Sequence, residues 1–124
     1  MEIVYIKRIY EGISVKYETY KEIYDTSIKK FLNELCIENL STFDGRINAV
    51  RIKHNIKSLV PLYVSNECLL IPTSSIRNYE CVWINYYMIQ SCDGNEIKML
   101  DGSIIEVKER VMDRQIKTCE EIAF

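Results

Sequence analysis

The chain has 124 residues, of which 48% are hydrophobic and 27% charged, with a formal net charge of −2. That length builds one hydrophobic core in a single domain, residues 1–124, and the composition excludes wholesale disorder. No apolar run approaches the ~20 residues of a membrane span, and the first residues lack the basic flank and long apolar stretch of a signal peptide. The expected compartment is therefore the cytoplasm, with no membrane partner.

Ile13-Ser14-Val15-Lys16-Tyr17-Glu18-Thr19 alternates apolar and polar side chains, the period of a half-buried strand. Glu11-Gly12 supplies the turn that folds it back on a strand over Ile3–Ile6. Thr26 or Ser27 then caps a helix whose Ile28, Phe31, Leu32 and Leu35 fall at helical spacing, with Lys29, Lys30, Asn33, Glu34 and Glu38 on the wet side. Ile47–Ile56 is predicted as a strand, with Val50 and Ile52 on one face and Arg51 and Lys53 on the other. Short strands over Pro61–Val64 and Cys68–Ile71 flank the turn Ser65-Asn66-Glu67, and Pro72-Thr73-Ser74-Ser75 breaks the ladder.

Cys81–Gln90 is apolar on both alternating faces, the pattern of a central strand covered on both sides. Cys92-Asp93-Gly94-Asn95 turns the chain onto Glu96–Leu100. Asp101-Gly102 turns it again onto Ser103–Val107, because Asp-Gly tolerates the positive φ of tight hairpins. From about Lys108 the stripe Met112, Ile116, Cys119 and Ala123 predicts a closing helix. The elements add up to an α+β domain, mainly antiparallel β. Its sheet has about six to eight strands, with one helix after the N-terminal hairpin and one at the C-terminus.

Little in the chain points to catalysis. There is one histidine, His54, so no two-histidine metal site exists. No glycine-rich phosphate loop and no Gly-x-Ser-x-Gly elbow appears. The five cysteines are odd in number, widely spaced and without a Cys-x-x-Cys pair, which favours reduced thiols over a disulfide framework or zinc site. Asp93 and Asp101 are explained as turn residues, and Glu120-Glu121 as a solvated face. A Cys68–His54 couple is the one nucleophilic pairing left open, and it ranks below plain packing. The chain is expected to be no enzyme, with no catalytic residues, no metal, no cofactor and no small-molecule substrate.

Charge distribution says more than net charge. Residues 1–44 carry 6 basic and 8 acidic side chains, and residues 80–124 carry 5 and 9. Between them, residues 45–79 carry Arg46, Arg51, Lys53, Lys57 and Arg77 against Glu67 alone. Local field decides where a polyanion docks, so this basic island is the candidate nucleic-acid surface. On a strand, Arg51 and Lys53 would leave the same face. His54 and Lys57 follow, and Arg77 lies in a loop with Ser74, Ser75 and Asn78 as neutral donors. A phosphate backbone asks for such a mixture. From charge alone, a basic solvated face fits equally well.

Three stretches weight the choice. Ser41-Thr42-Phe43-Asp44-Gly45-Arg46, after Cys36, is similar to a Ser-Ser-aromatic-x-Gly-Arg motif. Leu69-Leu70-Ile71-Pro72-Thr73-Ser74-Ser75-Ile76-Arg77, followed by Cys81-Val82-Trp83-Ile84, resembles a Pro-Thr, serine-rich turn, arginine, Cys-x-Trp-Ile block. Met99 to Val107 carries an Asp-Gly hairpin before an apolar strand. On these stretches, within a segment from Cys36 to about Val107 that covers a little over half its length, the chain resembles the ComK-type competence transcription factors. The resemblance implies a transcriptional activator of competence or related genes. It implies binding to AT-rich double-stranded DNA, largely through the minor groove, as a homo-oligomer of dimers on adjacent boxes. Candidate DNA contacts are Arg46, Arg51, Lys53, His54, Lys57 and Arg77, while Cys81, Trp83 and Ile84 read as core and Gly45 and Pro72 as turn geometry. Family members continue into a basic, partly helical region that carries a signal for adaptor-mediated proteolysis. That region has no counterpart up to Phe124, so a short, C-terminally truncated member is expected. The alternative is a protein-interaction module of the same fold that pairs with a full-length relative through sheet edges and modulates it.

Overall fold

A computed structural model describes residues 2–123, the side chains at 109–111 excepted. The N-terminal hairpin forms as expected: β1 (Ile3–Ile9) turns at Gly12 into β2 (Gly12–Tyr17), and β3 (Lys21–Tyr24) adds to its outer side. Gly12 is required at the turn, because its φ is +141° and a Cβ there would stand 2.2 Å from the Tyr24 carbonyl oxygen. The helix α1 (Ile28–Glu38) starts at Ser27, whose hydroxyl accepts the Lys30 N–H at 3.2 Å. It stops in a Schellman turn: Leu40 N–H donates to Ile37 O and Ser41 N–H to Cys36 O, with Leu40 left-handed at φ 61°.

The next element corrects the reading of Ile47–Ile56. It is a second helix, α2 (Phe43–His54), not a strand. The alternation Val50-Arg51-Ile52-Lys53 has period 2 but spans only four residues, too few to set the element. The longer register Phe43, Ile47, Val50, His54 is helical, and these are the side chains that α2 turns inward, whereas Ile52 is 81% exposed. Thr42 caps the start and Asn55, left-handed at φ 53°, ends it.

Then follow β4 (Leu62–Ser65), β5 (Cys68–Pro72) and β6 (Val82–Asn85). The predicted strand Cys81–Gln90 is also corrected. Its first part is central, pairing with both β1 and β5, but a 3₁₀ turn at Tyr86–Met88 breaks it. The cause is Asn85, which is fully buried. Its Oδ1 accepts from Leu69 N and Tyr87 N, each at 3.2 Å, and its Nδ2 donates to Ile3 O at 2.8 Å and Glu67 O at 3.1 Å. The chain then crosses into a second sheet of β7 (Ile89–Asp93), β8 (Glu96–Met99) and β9 (Ile104–Glu106), and ends in α3 (Glu109–Ala123).

Six strands in the order β3-β2-β1-β6-β5-β4 form the main sheet, and β7-β8-β9 form a smaller one. All pairings are antiparallel. The result is the expected mainly antiparallel α+β class, with nine strands in two sheets and a third helix among the described residues. Two cores sandwich the main sheet. On one face α1 and α2 cover Ile6, Ile13, Val15, Leu70 and Trp83. On the other, the small sheet and α3 cover Val4, Leu69, Ile71 and Ile84 with Ile97, Met99, Met112 and Cys119. Burial on both faces explains the near-continuous apolar runs of β5 and β6. Lys16 Nζ joins the sheets through Asp101 Oδ2, 3.2 Å away in the β8–β9 turn. Among the described residues no helix is long and apolar enough to cross a membrane.

Candidate nucleic-acid interface

Because α2 is a helix, Arg51 and Lys53 lie about 200° apart around its axis. The six predicted contacts therefore do not converge on one face, and this corrects the shared-face reading. Arg51, Lys57 and Arg77 line one groove of ≈ 510 Å³ with Lys29. Arg46, Lys53 and His54 line another of ≈ 480 Å³, between α2 and the end of α3.

The first groove has the better chemistry for a polyanion. Its walls are α1, α2, the segment after α2 and the loop of residues 73–81, and its floor is Phe43, Ile47, Pro72 and Trp83. Ser58 and Ser75 add neutral donors. Lys29 Nζ stands 5.7 Å from the Phe43 ring centroid and 3.8 Å from Asp44 Oδ1. Both members of that ion pair are exposed, so it holds Lys29 by at most ~1 kcal/mol. Arg51 shares a 3.4 Å contact with Asn48 Oδ1. Among the described residues, Arg51, Lys57 and Arg77 form no ion pair with a carboxylate.

Residues in the second groove are largely occupied by the protein itself. His54 Nδ1 is 3.3 Å from Glu121 Oε2, which links the end of α2 to α3. Arg46 is half-buried, its guanidinium 5.4 Å from the Tyr63 ring centroid and one nitrogen 3.5 Å from Asn39 O. The Cys68–His54 couple does not form: Cys68 packs beside Leu35 and Asn39 of the α1 side, and burial first, then the Glu2 carboxylate and Cys36, push its thiol up to about 12. All five cysteines are free, and Cys36, Cys81 and Cys119 are buried. Among the described residues no three His, Cys, Asp or Glu side chains cluster as metal ligands.

The loop that carries Arg77 is tightly built. Thr73 N–H donates to Val82 O, and Thr73 Oγ1 accepts from Val82 N, both at 2.9 Å. Asn78 N–H donates to Ser75 O and Cys81 N–H to Asn78 O, and the Cys81 thiol donates to Ser74 O at 3.2 Å. From β1, the Arg8 guanidinium donates to Ile76 O at 2.7 Å and to Asn78 O at 2.8 Å.

The sequence reading missed two of these residues. Lys29 carried no signal beyond its place on the wet side of a helix. Arg8, from β1, reaches a loop some 70 positions away and carried none.

A model of the ComK protein family matches residues 6–119, nearly the whole chain. The chain belongs to the ComK family. ComK proteins are transcription factors of the competence type and not enzymes, and membership supports a role of that kind here. No curated protein and no solved structure matches the chain. In this ComK-family fold the motif residues are mostly structural. Trp83, Ile84 and Cys81 are core, as expected. Gly45, read as turn geometry, instead sits in the first turn of α2. There its N–H donates to Thr42 Oγ1 at 3.0 Å, and a Cβ would approach that oxygen to 2.9 Å. Glycine at this position lets the capping hydroxyl close over the helix end.

Proposed function

We propose that this ComK-family protein is a cytoplasmic transcriptional regulator that binds AT-rich double-stranded DNA, using the groove between α1, α2 and the 73–81 loop, as a homo-oligomer acting on competence or related genes. The observation that carries the reading is the ring of Lys29, Arg51, Lys57 and Arg77 around one groove, three of them without a carboxylate partner among the described residues. Four cations on phosphates release counterions, which gives a salt slope near −3.6 and roughly a hundredfold loss of affinity between 50 and 200 mM salt. Arg77, at the loop, has the reach to enter a narrow AT minor groove, where negative potential attracts arginine. Arg46, Lys53 and His54 are assigned secondary or structural parts.

The test is an electrophoretic shift on an AT-rich duplex across a salt series. Arg51→Ala with Arg77→Ala should weaken binding and make the slope shallower by about 2, whereas Lys53→Ala should change it by less than half as much. No salt-sensitive complex with the intact protein would refute the reading.

One feature favours the interaction-module alternative. The strand β3 is a sheet edge, paired on one side only, with Ile23 60% exposed. That alternative predicts association through the edge and no shift with DNA.

A further inference from the structure

We infer that Arg8 is a positioning residue that holds the 73–81 loop in the shape that presents Arg77. This inference rests on the DNA-binding reading above. The last β1 residue paired with β6 is Lys7, opposite Val82. Arg8 therefore emerges where the loop rejoins the sheet. Its guanidinium grips the carbonyls of Ile76 and Asn78, the residues on either side of Arg77. The Asn78 carbonyl also accepts the Cys81 N–H at 3.0 Å. The Ile76 carbonyl has no backbone donor among the described residues, so Arg8 is its partner.

The geometry requires arginine. A planar guanidinium offers parallel N–H groups that span two acceptors at fixed separation, and an ammonium is a point donor that does not. With both neighbouring carbonyls clamped, the backbone at Arg77 has little freedom left, and its side chain leaves the loop in a set direction. A contact residue preset in this way loses less conformational entropy on binding. Arg8 itself makes no ion pair among the described residues, so its charge adds to the positive field beside the groove.

Arg8→Lys separates clamp from charge, because it keeps the cation and removes the two-carbonyl grip. Affinity for the AT-rich duplex at fixed salt should fall about five- to tenfold, the scale of one reordered loop segment, with the salt slope unchanged. In an Arg77→Ala background the same change should cost less than twofold, since there is no longer an arginine to position. An equal loss in both backgrounds, or no loss in either, overturns the inference. Arg8→Gln, which can satisfy one carbonyl, provides a second variant should the lysine form fold poorly.

Amide hydrogen exchange in the free protein reads the clamp without DNA. Arg8→Lys should speed exchange at Asn78 and Cys81 at least tenfold and leave Ile71 and Ile84 unchanged. Unaltered loop exchange overturns the inference whatever the DNA result. If the wild-type protein forms no DNA complex while the loop exchange still responds, the DNA reading fails and the clamp stands.

Discussion

Replacing Asn85 tests the junction that turns the chain from one sheet into the other. Its side-chain amide fills four hydrogen-bonding roles in a fully buried position, and two of those bonds, to Leu69 N and Ile3 O, lie wholly in the interior. The bonds to Glu67 O and Tyr87 N are partly buried. In Asn85→Ala the two interior backbone groups lose their partners at about 1–3 kcal/mol each, and the outer two can recruit water. The expected loss is about 3–5 kcal/mol, a large share of a small domain's stability. Urea unfolding followed by tryptophan fluorescence measures it, since Trp83 is buried two residues away. At a slope of about 1.5 kcal/mol/M, a 3 kcal/mol loss moves the midpoint down by about 2 M.

Asn85→Asp sharpens the test. It keeps the acceptor for Leu69 and Tyr87 but turns a second oxygen toward the carbonyls of Ile3 and Glu67. An ionised carboxylate there is repelled, while a protonated one can donate to one carbonyl. Its folded pKa must therefore lie above its unfolded value, and the neutral form is the one that folding favours. The deficit of Asn85→Asp relative to wild type should shrink as pH falls from 7 toward 4. A loss below ~1 kcal/mol in Asn85→Ala, or a pH-independent deficit in Asn85→Asp, would refute this account of the junction.

Two further outcomes follow from the fold. Leu40 is held left-handed while its side chain is 97% exposed, so Leu40→Gly removes a strained Cβ and loses no packing. It should stabilise by about 0.5–1 kcal/mol in thermal unfolding, after the entropy that glycine adds to the unfolded chain, and Leu40→Ala should give no gain. The Asp101 carboxyl is raised by burial, but hydrogen bonds from the Ser103 N–H and hydroxyl, both 2.9 Å, and from Lys16 outweigh that and leave it below its ordinary value. A lowered folded pKa contributes stability that is complete above the unfolded value near ~4 and is lost as pH falls through the folded one. Wild type should thus lose stability below about pH 4 more steeply than Asp101→Asn, and be the more stable of the two at pH 7.

Local chemistry settled much of this protein. The Glu11-Gly12, Asp93-Gly94 and Asp101-Gly102 turns, the Ser27 cap and the Met112–Cys119 stripe act within a few residues, so they are legible wherever they occur. The Pro72–Trp83 block was legible too as a family signature, with Cys81 and Trp83 as core, whereas Pro72, read as turn geometry, is the buried last residue of β5, paired with Trp83. The error at Ile47–Ile56 came from reading a strand in an alternation only four residues long, against the longer helical register Phe43, Ile47, Val50, His54. Packing of Phe43 and Ile47 into the helix-side core and burial of Val50, with Ile52 left in water, selected the helix. That one choice redistributed the cations. Strand geometry puts Arg51 beside Lys53; helix geometry puts it across a groove from Arg77 and Lys29, residues 26 and 22 positions away in the chain. Which charges share a surface is a property of long-range packing, and so is the reach of Arg8 to the 73–81 loop. Neither leaves a periodic trace in sequence, because nothing local requires it.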